Sequence, residues 1–313
     1  MKKEEIIKWL LEGDVSLQYQ VYRDLLSIER EDLRNSIELE GWGAEFLARR
    51  EQDGHWGRKF YQPKWTSSHY TLLDLRNLCI SPNHIWIKES IDLIAASEKG
   101  PDQGINPSPN ILESDVCLNG MFLNYASYFK TDEEKLKSIV DFIISQRMDD
   151  GGFNCRLNRS GAVHSSLHST LSVLEGITEY ELNGYTYRLN ELKEAEQSSK
   201  EFILIHQLFI SDRTGEIIKK DFLSLSYPCR WRYDILKALD YFQNSKTAWD
   251  ERMKPAIEIL IKKKRKDNRW PLQAKHAGQV HFDMEKAGKP SRWNTLRALR
   301  VLKHFRMEGN NSR

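Results

Sequence analysis

The sequence predicts an all-α protein, a single (α/α)6 toroid of six inner and six outer helices, from three observations. Helical periodicity dominates, and long alternating apolar/polar strand patterns are absent. Amphipathic segments alternate strictly with more apolar ones, six of each. A short Asp/Gly/aromatic punctuation ends most of the amphipathic segments and recurs at intervals near fifty residues.

The amphipathic segments fall near 3–11, 31–51, 85–97, 132–146, 190–208 and 250–264. Their outer faces are charged, as in Asp132-Glu-Glu-Lys-Leu-Lys-Ser-Ile-Val-Asp-Phe-Ile-Ile144. The apolar segments fall near 15–27, 67–79, 114–129, 166–181, 230–243 and 291–305, and mix small with aromatic residues. The last of them follows a Pro290-Ser291 cap. Punctuation stands at Asp53-Gly-His-Trp56, Asp102-Gln-Gly-Ile105, Asp150-Gly-Gly-Phe153, the looser Asp212-Arg-Thr-Gly215, and Asp267-Asn-Arg-Trp270. The aspartates are 49 and 48 residues apart, then 62 and 55. Each part has a physical task. Gly permits φ > 0 at a helix end, Asp accepts hydrogen bonds from loop amides, and the aromatic plugs the seam to the next helix. One helix pair cannot bury both of its faces, so a repeated pair implies stacking, and six hairpins turning the same way close a ring. Residues 1–305 therefore read as one domain and 306–313 as a disordered tail.

Composition narrows the function. Lys+Arg 47 against Asp+Glu 45 leaves a formal +2, which excludes a nucleic-acid surface supplied by bulk charge. The basic run Lys262-Lys-Lys-Arg-Lys266 reads as a solvated helix end. The start, Met1-Lys-Lys-Glu-Glu-Ile-Ile, is too acidic for a signal peptide, and no apolar run approaches the roughly 18 residues of a membrane span. Cys79, Cys117, Cys155 and Cys229 show no disulfide-type framework, so a reducing cytoplasm is expected. The 9 Trp and 12 Tyr suit either an ordinary core or the wall of a large apolar cavity.

The candidate site comes from the first turns of the apolar helices, which a ring would gather at one rim. They supply Tyr19 and Gln20; Trp65 and His69; Asp115 and Cys117; His164 and His168; Arg230, Trp231, Tyr233 and Asp234; Arg292, Trp293 and Asn294. His164 and His168, four apart, share a face if both are helical, and they follow Cys155. Asp115, Cys117 and His168 together offer carboxylate, thiolate and imidazole, a three-ligand zinc set with an open fourth position; Cys155 and His164 are alternates. Singly, each also reads as a core cysteine, a satisfied histidine or a helix cap. The Arg-Trp pairs at 230–231 and 292–293 read either as interhelical cation–π packing or as an anion or sugar platform.

The Q-x(2,3)-D-G-G/x-F/W repeat, at Gln146 to Phe153 and degraded at Asp53 to Trp56 and Asp267 to Trp270, resembles that of terpenoid cyclases and protein prenyltransferase β subunits. Asp115-Val-Cys117 with His168 before Leu174-Glu-Gly176 resembles the prenyltransferase zinc motif, which implies zinc on Asp115, Cys117 and His168. Three departures stand out. Pro109 and Leu112 replace that family's diphosphate-binding cations, Leu118 replaces a Tyr, and the cyclases' D-x-D-D acid is missing. Lys64, Arg230, Arg232 and Arg292 are candidates to rebuild a diphosphate pocket, and no partner subunit is inferable. The leading expectation is a zinc-dependent transferase acting on an isoprenoid or other apolar substrate in a central cavity. Its site would use Tyr233, Asp234 and His69 for chemistry and Trp65, Arg230, Trp231, Arg292, Trp293 and Tyr19 for binding. The alternatives are a carbohydrate-active (α/α)6 hydrolase or lyase, using Asp115, Asp234, Tyr233 or His69 on a glycan stacked on tryptophans, and a non-catalytic ligand-binding toroid.

Overall fold

A computed structural model describes residues 3–108, 110–156 and 160–307, so Pro109 and 308–313 lie outside the described residues. The described chain is mainly helical, and its one ladder pairs Trp270–Pro271 with Pro290–Ser291. Helix α1 (Lys3–Leu11) is followed by α2 (Val15–Gln20), which Asp14 caps and which runs directly into a π-helical turn, Val21–Leu26. Then come α3 (Glu31–Ser36), α4 (Gly41–Leu47), α5 (Ser68–Asn77), α6 (Ile85–Ser97), α7 (Val116–Tyr128) and α8 (Glu133–Ser145). The remainder are α9 (Leu167–Leu182), α10 (Leu189–Ile205), α11 (Ile235–Asn244), α12 (Lys254–Lys262) and α13 (Arg292–His304). No described helix is long and apolar enough to cross a membrane.

The punctuation does what its chemistry implies. Asp53, Asp102, Asp150 and Asp267 accept loop N–H groups from His55, Gly104, Ser165 and Arg269 at 2.7–3.2 Å. The residue that follows docks on the next helix through its own N–H. Trp56 donates to Ser68, Ile105 to Asn119, Phe153 to Thr170 and Trp270 to Thr295, at 2.7–3.0 Å. The Trp56 and Trp270 indoles each reach back to a carbonyl on the helix just ended, Phe46 and Leu260. Each repeat thus satisfies orphan helix-end groups while sealing an apolar seam.

Helices α5, α7, α9 and α11 are buried over most of their length. Helix α5 packs on α7, α7 along α9, α9 on α11, α11 on α13, and α13 on the turn at 21–26. Gln20 of α2 donates to the Asn77 carbonyl at the end of α5, 2.9 Å away. Helices α8, α10 and α12 lie outside, against α7, α9 and α11 respectively.

Four expectations need correction. The segment 31–51 is two short helices, not one. The chain turns at Gly41 (φ +67°), where a Cβ would run into the Asp14 carboxylate that accepts the Trp42 N–H at 2.8 Å. Helix α11 starts only at Ile235, with Asp234 as its cap, so Arg230 to Tyr233 form a bend and not a first turn. His164 precedes the cap residue Ser166 of α9, so it shares no helical face with His168. Arg306 and Met307 are tied back to Lys303 and Leu302, so ordered chain extends past 305.

Candidate functional site

Two cavities matter. The first, about 350 Å³, is bounded by Tyr61, Lys64, Tyr70, Asp115, Cys117, Cys155, Arg156, Ser160 and Trp231. The second, about 320 Å³, takes wall residues from six helical segments. Gln20, Arg23 and Asp24 come from α2 and its π-turn, Arg76 from α5, Asn124 and Tyr128 from α7, and Glu175 and Glu179 from α9. Lys237, Asp240 and Tyr241 come from α11, and Trp293, Arg297 and Arg300 from α13; the bend before α11 adds Tyr227, Cys229 and Arg230.

This second wall is charged. Burying so many ions is tolerable only in pairs. Asp240 accepts from Arg297 at 3.0 Å and Arg300 at 2.5 Å, and Arg300 also reaches Asp24 at 3.0 Å. Arg76 pairs with Glu179, and Lys237 with Glu175 at 3.0 Å. Burial pushes the carboxyls of Asp24 and Asp240 upward, but the arginines outweigh it and hold both below the ordinary value. Arg230 is less well matched. Its backbone is left-handed (φ +52°), its guanidinium lies 4.8 Å over the Trp65 ring, and among the described residues its ion-pair contact is with Asp74, 3.4 Å long. Burial of Asp74 outweighs that contact and raises its carboxyl pKa. Among the described residues, the buried Nε–H groups of Arg76 and Arg230 have no acceptor. Six cations line the wall against four carboxylates.

The rim residues expected from the sequence are scattered: some line these two cavities, some lie in the core, and His164 and His168 line a third cavity of about 770 Å³ with Asp150, His206 and Phe222. Arg230 and Trp293 line the charged cavity, where Trp293 stacks 4.7 Å from Tyr227. Asp115, Cys117, Cys155 and Trp231 line the first cavity. The residues expected to do chemistry each make hydrogen bonds within the protein. Tyr233 donates to the Leu208 carbonyl at 2.6 Å. Asp234 caps α11 through the Lys237 N–H and binds the Ser226 hydroxyl. His69 is fully buried, with Nδ1 3.2 Å from the Tyr125 hydroxyl. None of these three lines either cavity, so of the acid/base candidates of the carbohydrate reading Asp115 alone stands on a wall of these two. Trp65 is 4% exposed and donates its indole N–H to the Ala277 carbonyl. Tyr19 sits in the core beneath Arg23 and Arg34, and Arg292 lies over Trp9 and donates to its carbonyl.

The zinc donors do not fit the ion in this arrangement. The sulfurs of Cys117 and Cys155 are bonded to each other, so neither is a free thiolate. Burial, reinforced by Lys219 and Lys237, depresses the His168 pKa to about 3, so the ring is neutral. Its Nδ1 accepts the Tyr233 N–H at 2.8 Å, which puts the remaining proton on Nε2 and leaves no lone pair for a metal. His164 is exposed, 4.0 Å from Asp150. Among the described residues, no three His, Cys, Asp or Glu side chains are grouped to hold a metal. The disulfide also corrects the expectation of four independent thiols; Cys79 and Cys229 alone remain free.

The buried histidines carry a pH prediction. Burial, aided by Lys64, takes His69 to about 3, like His168. With folded values below the unfolded value near 6.5, the unfolded chain binds protons first as pH falls. Stability is then full above about pH 6.5 and is lost on the way down toward 3. The two rings together should remove roughly 4 kcal/mol between pH 7 and pH 5. His276 and His281, depressed to about 4, act in the same direction. Equal urea-unfolding free energies at the two pH values would contradict this.

The residues that sequence reading missed are the mid-helix charges Arg76, Glu175, Glu179, Asp240, Arg297 and Arg300. A signal existed, because ions inside otherwise apolar helices such as Ile-Leu-Lys-Ala-Leu-Asp-Tyr-Phe (235–242) have to face partners or a cavity. No protein-family model matches this chain, and no curated protein matches it either.

Proposed function

We propose that the chain is a single (α/α)6 toroid, of the kind its repeat resembles in terpenoid cyclases and prenyltransferase β subunits, and that its central cavity binds a small anionic ligand bearing an aromatic or apolar part. Support for the ring comes from the neighbour order of α5, α7, α9, α11 and α13, from the packing of α13 on residues 21–26, and from the Gln20 bond to Asn77. The observation that carries the ligand reading is the excess of cations on the charged wall, with two buried guanidinium N–H groups still lacking acceptors. Cations in excess on a partly buried wall are costly, and an anionic ligand in the cavity would balance them. Tyr227 and Trp293 offer a stacked aromatic surface beside Arg230. Binding is all the reading includes.

Titration calorimetry with inorganic pyrophosphate at low ionic strength is the test. Binding is expected, weakening with added salt and severalfold in Arg230→Gln. Farnesol, which carries only an apolar chain and a hydroxyl, is expected to bind far more weakly. A wild type silent to pyrophosphate, or one that takes farnesol as tightly as pyrophosphate, overturns the reading.

A further inference from the structure

The Cys117–Cys155 pair has no part in that anion site, yet its surroundings are not those of an inert crosslink. Structural disulfides are commonly packed among apolar side chains, away from small molecules. Here both residues are partly exposed and line the first cavity, whose wall also carries Tyr61, Trp231, Asp115, Lys64 and Arg156. Their Cα atoms are 6.1 Å apart, a separation that suits both bonded and open forms. The two sulfurs are also inequivalent. The sulfur of Cys155 accepts the Cys117 N–H at 3.2 Å, in the first turn of α7, and the Ser169 hydroxyl at 3.3 Å. Ser169 is itself held by the Cys155 N–H, 3.2 Å away, and is 4% exposed. Among the described residues, no hydrogen bond of this kind reaches the sulfur of Cys117.

We propose that Cys117–Cys155 is a thiol–disulfide exchange site open to anionic low-molecular-weight thiols. The thiolate of an incoming thiol attacks the Cys117 sulfur, the Cys117–Cys155 bond breaks, and its electron pair leaves on Cys155. Donors already aimed at that sulfur stabilise the departing thiolate. A second thiol molecule then attacks the mixed disulfide on Cys117 and releases the Cys117 thiolate. The balance is one protein disulfide and two thiols giving two protein thiols and one small disulfide; run backward, the same steps oxidise the pair. Lys64 and Arg156 suit a thiol that carries carboxylates, and glutathione is the probe of that chemistry. Ser169 is a positioning residue for the Cys155 sulfur and touches no substrate.

The experiment uses the full chain, folded, in glutathione buffers of stepped reduced-to-oxidised ratio. It is quenched with acid, unfolded and alkylated, and the thiols are counted by mass spectrometry. Two thiols, on Cys79 and Cys229, are expected at the oxidised end and four at the reduced end, with the change mapping to Cys117 and Cys155. Ser169→Ala is expected to slow reduction severalfold while circular dichroism stays unchanged. Cys155→Ser is expected to trap glutathione on Cys117. A pair that resists reduction in the folded protein, or four free thiols at the oxidised end, overturns the proposal. So does a folded Cys155→Ser that captures no glutathione, since that variant keeps the attacked sulfur and removes only the leaving one.

Discussion

Gly176→Ala is expected to cost about 3 kcal/mol or more in urea unfolding, or to prevent folding outright. Helices α7 and α9 touch backbone to backbone, and a Cβ on Gly176 would run into the carbonyl oxygen of Gly120. The converse substitution is no easier, because a Cβ on Gly120 would lie 2.6 Å from the Val173 Cα and 2.7 Å from the Ser172 oxygen. None of these obstacles is a side chain that can swing away, so relief requires the two helices to part. They are buried together along most of α7, and parting them opens voids throughout the interface. Leu182→Ala, on the same helix but 57% exposed, is the control and should change stability by under about 1 kcal/mol. A Gly176→Ala protein as stable as that control would show that the helices do not meet as described.

Asp240→Ala carries the second large effect, about 3–5 kcal/mol, for a different reason. Asp240 is 9% exposed and holds the guanidinium groups of Arg297 and Arg300 together. Without it, Arg300 keeps Asp24 at 3.0 Å, but Arg297 is left, among the described residues, with the Cys229 sulfur at 3.3 Å and the Tyr227 ring at 6.0 Å, and no carboxylate in contact. Burial has already pushed the Cys229 thiol up to about 11, so that sulfur supplies no negative charge near neutral pH. Two like charges then face each other in a cavity with little water to screen them. Chemical denaturation of Asp240→Ala beside the double variant Asp240→Ala/Arg297→Met separates the causes. If the uncompensated charge dominates, the double variant regains part of the loss; equal losses in both would assign the effect to packing.

The local chemistry of the chain made its helices and their joints readable. Periodicity, the Asp132 and Ser291 caps, and the Asp-Gly-aromatic punctuation all act within about fifteen residues, a range over which neighbours in sequence are neighbours in space. The same reading singled out Arg230, Trp293, Asp115 and Cys117 as cavity residues. Side-chain direction was not readable, since it depends on how each helix is rotated against partners fifty or more residues away. A shift of one residue turns a helical side chain by about 100°, enough to carry it from a cavity wall into a seam. The late start of α11 did this to Tyr233 and Asp234, and the bend before it turned Arg230 inward. Packing between distant segments likewise joined Cys117 to Cys155, and gave His168 to the Tyr233 amide before any metal could claim it. The mid-helix ions Asp240, Arg297 and Arg300 acquire their meaning the same way, because a buried charge is stable only where a distant partner meets it.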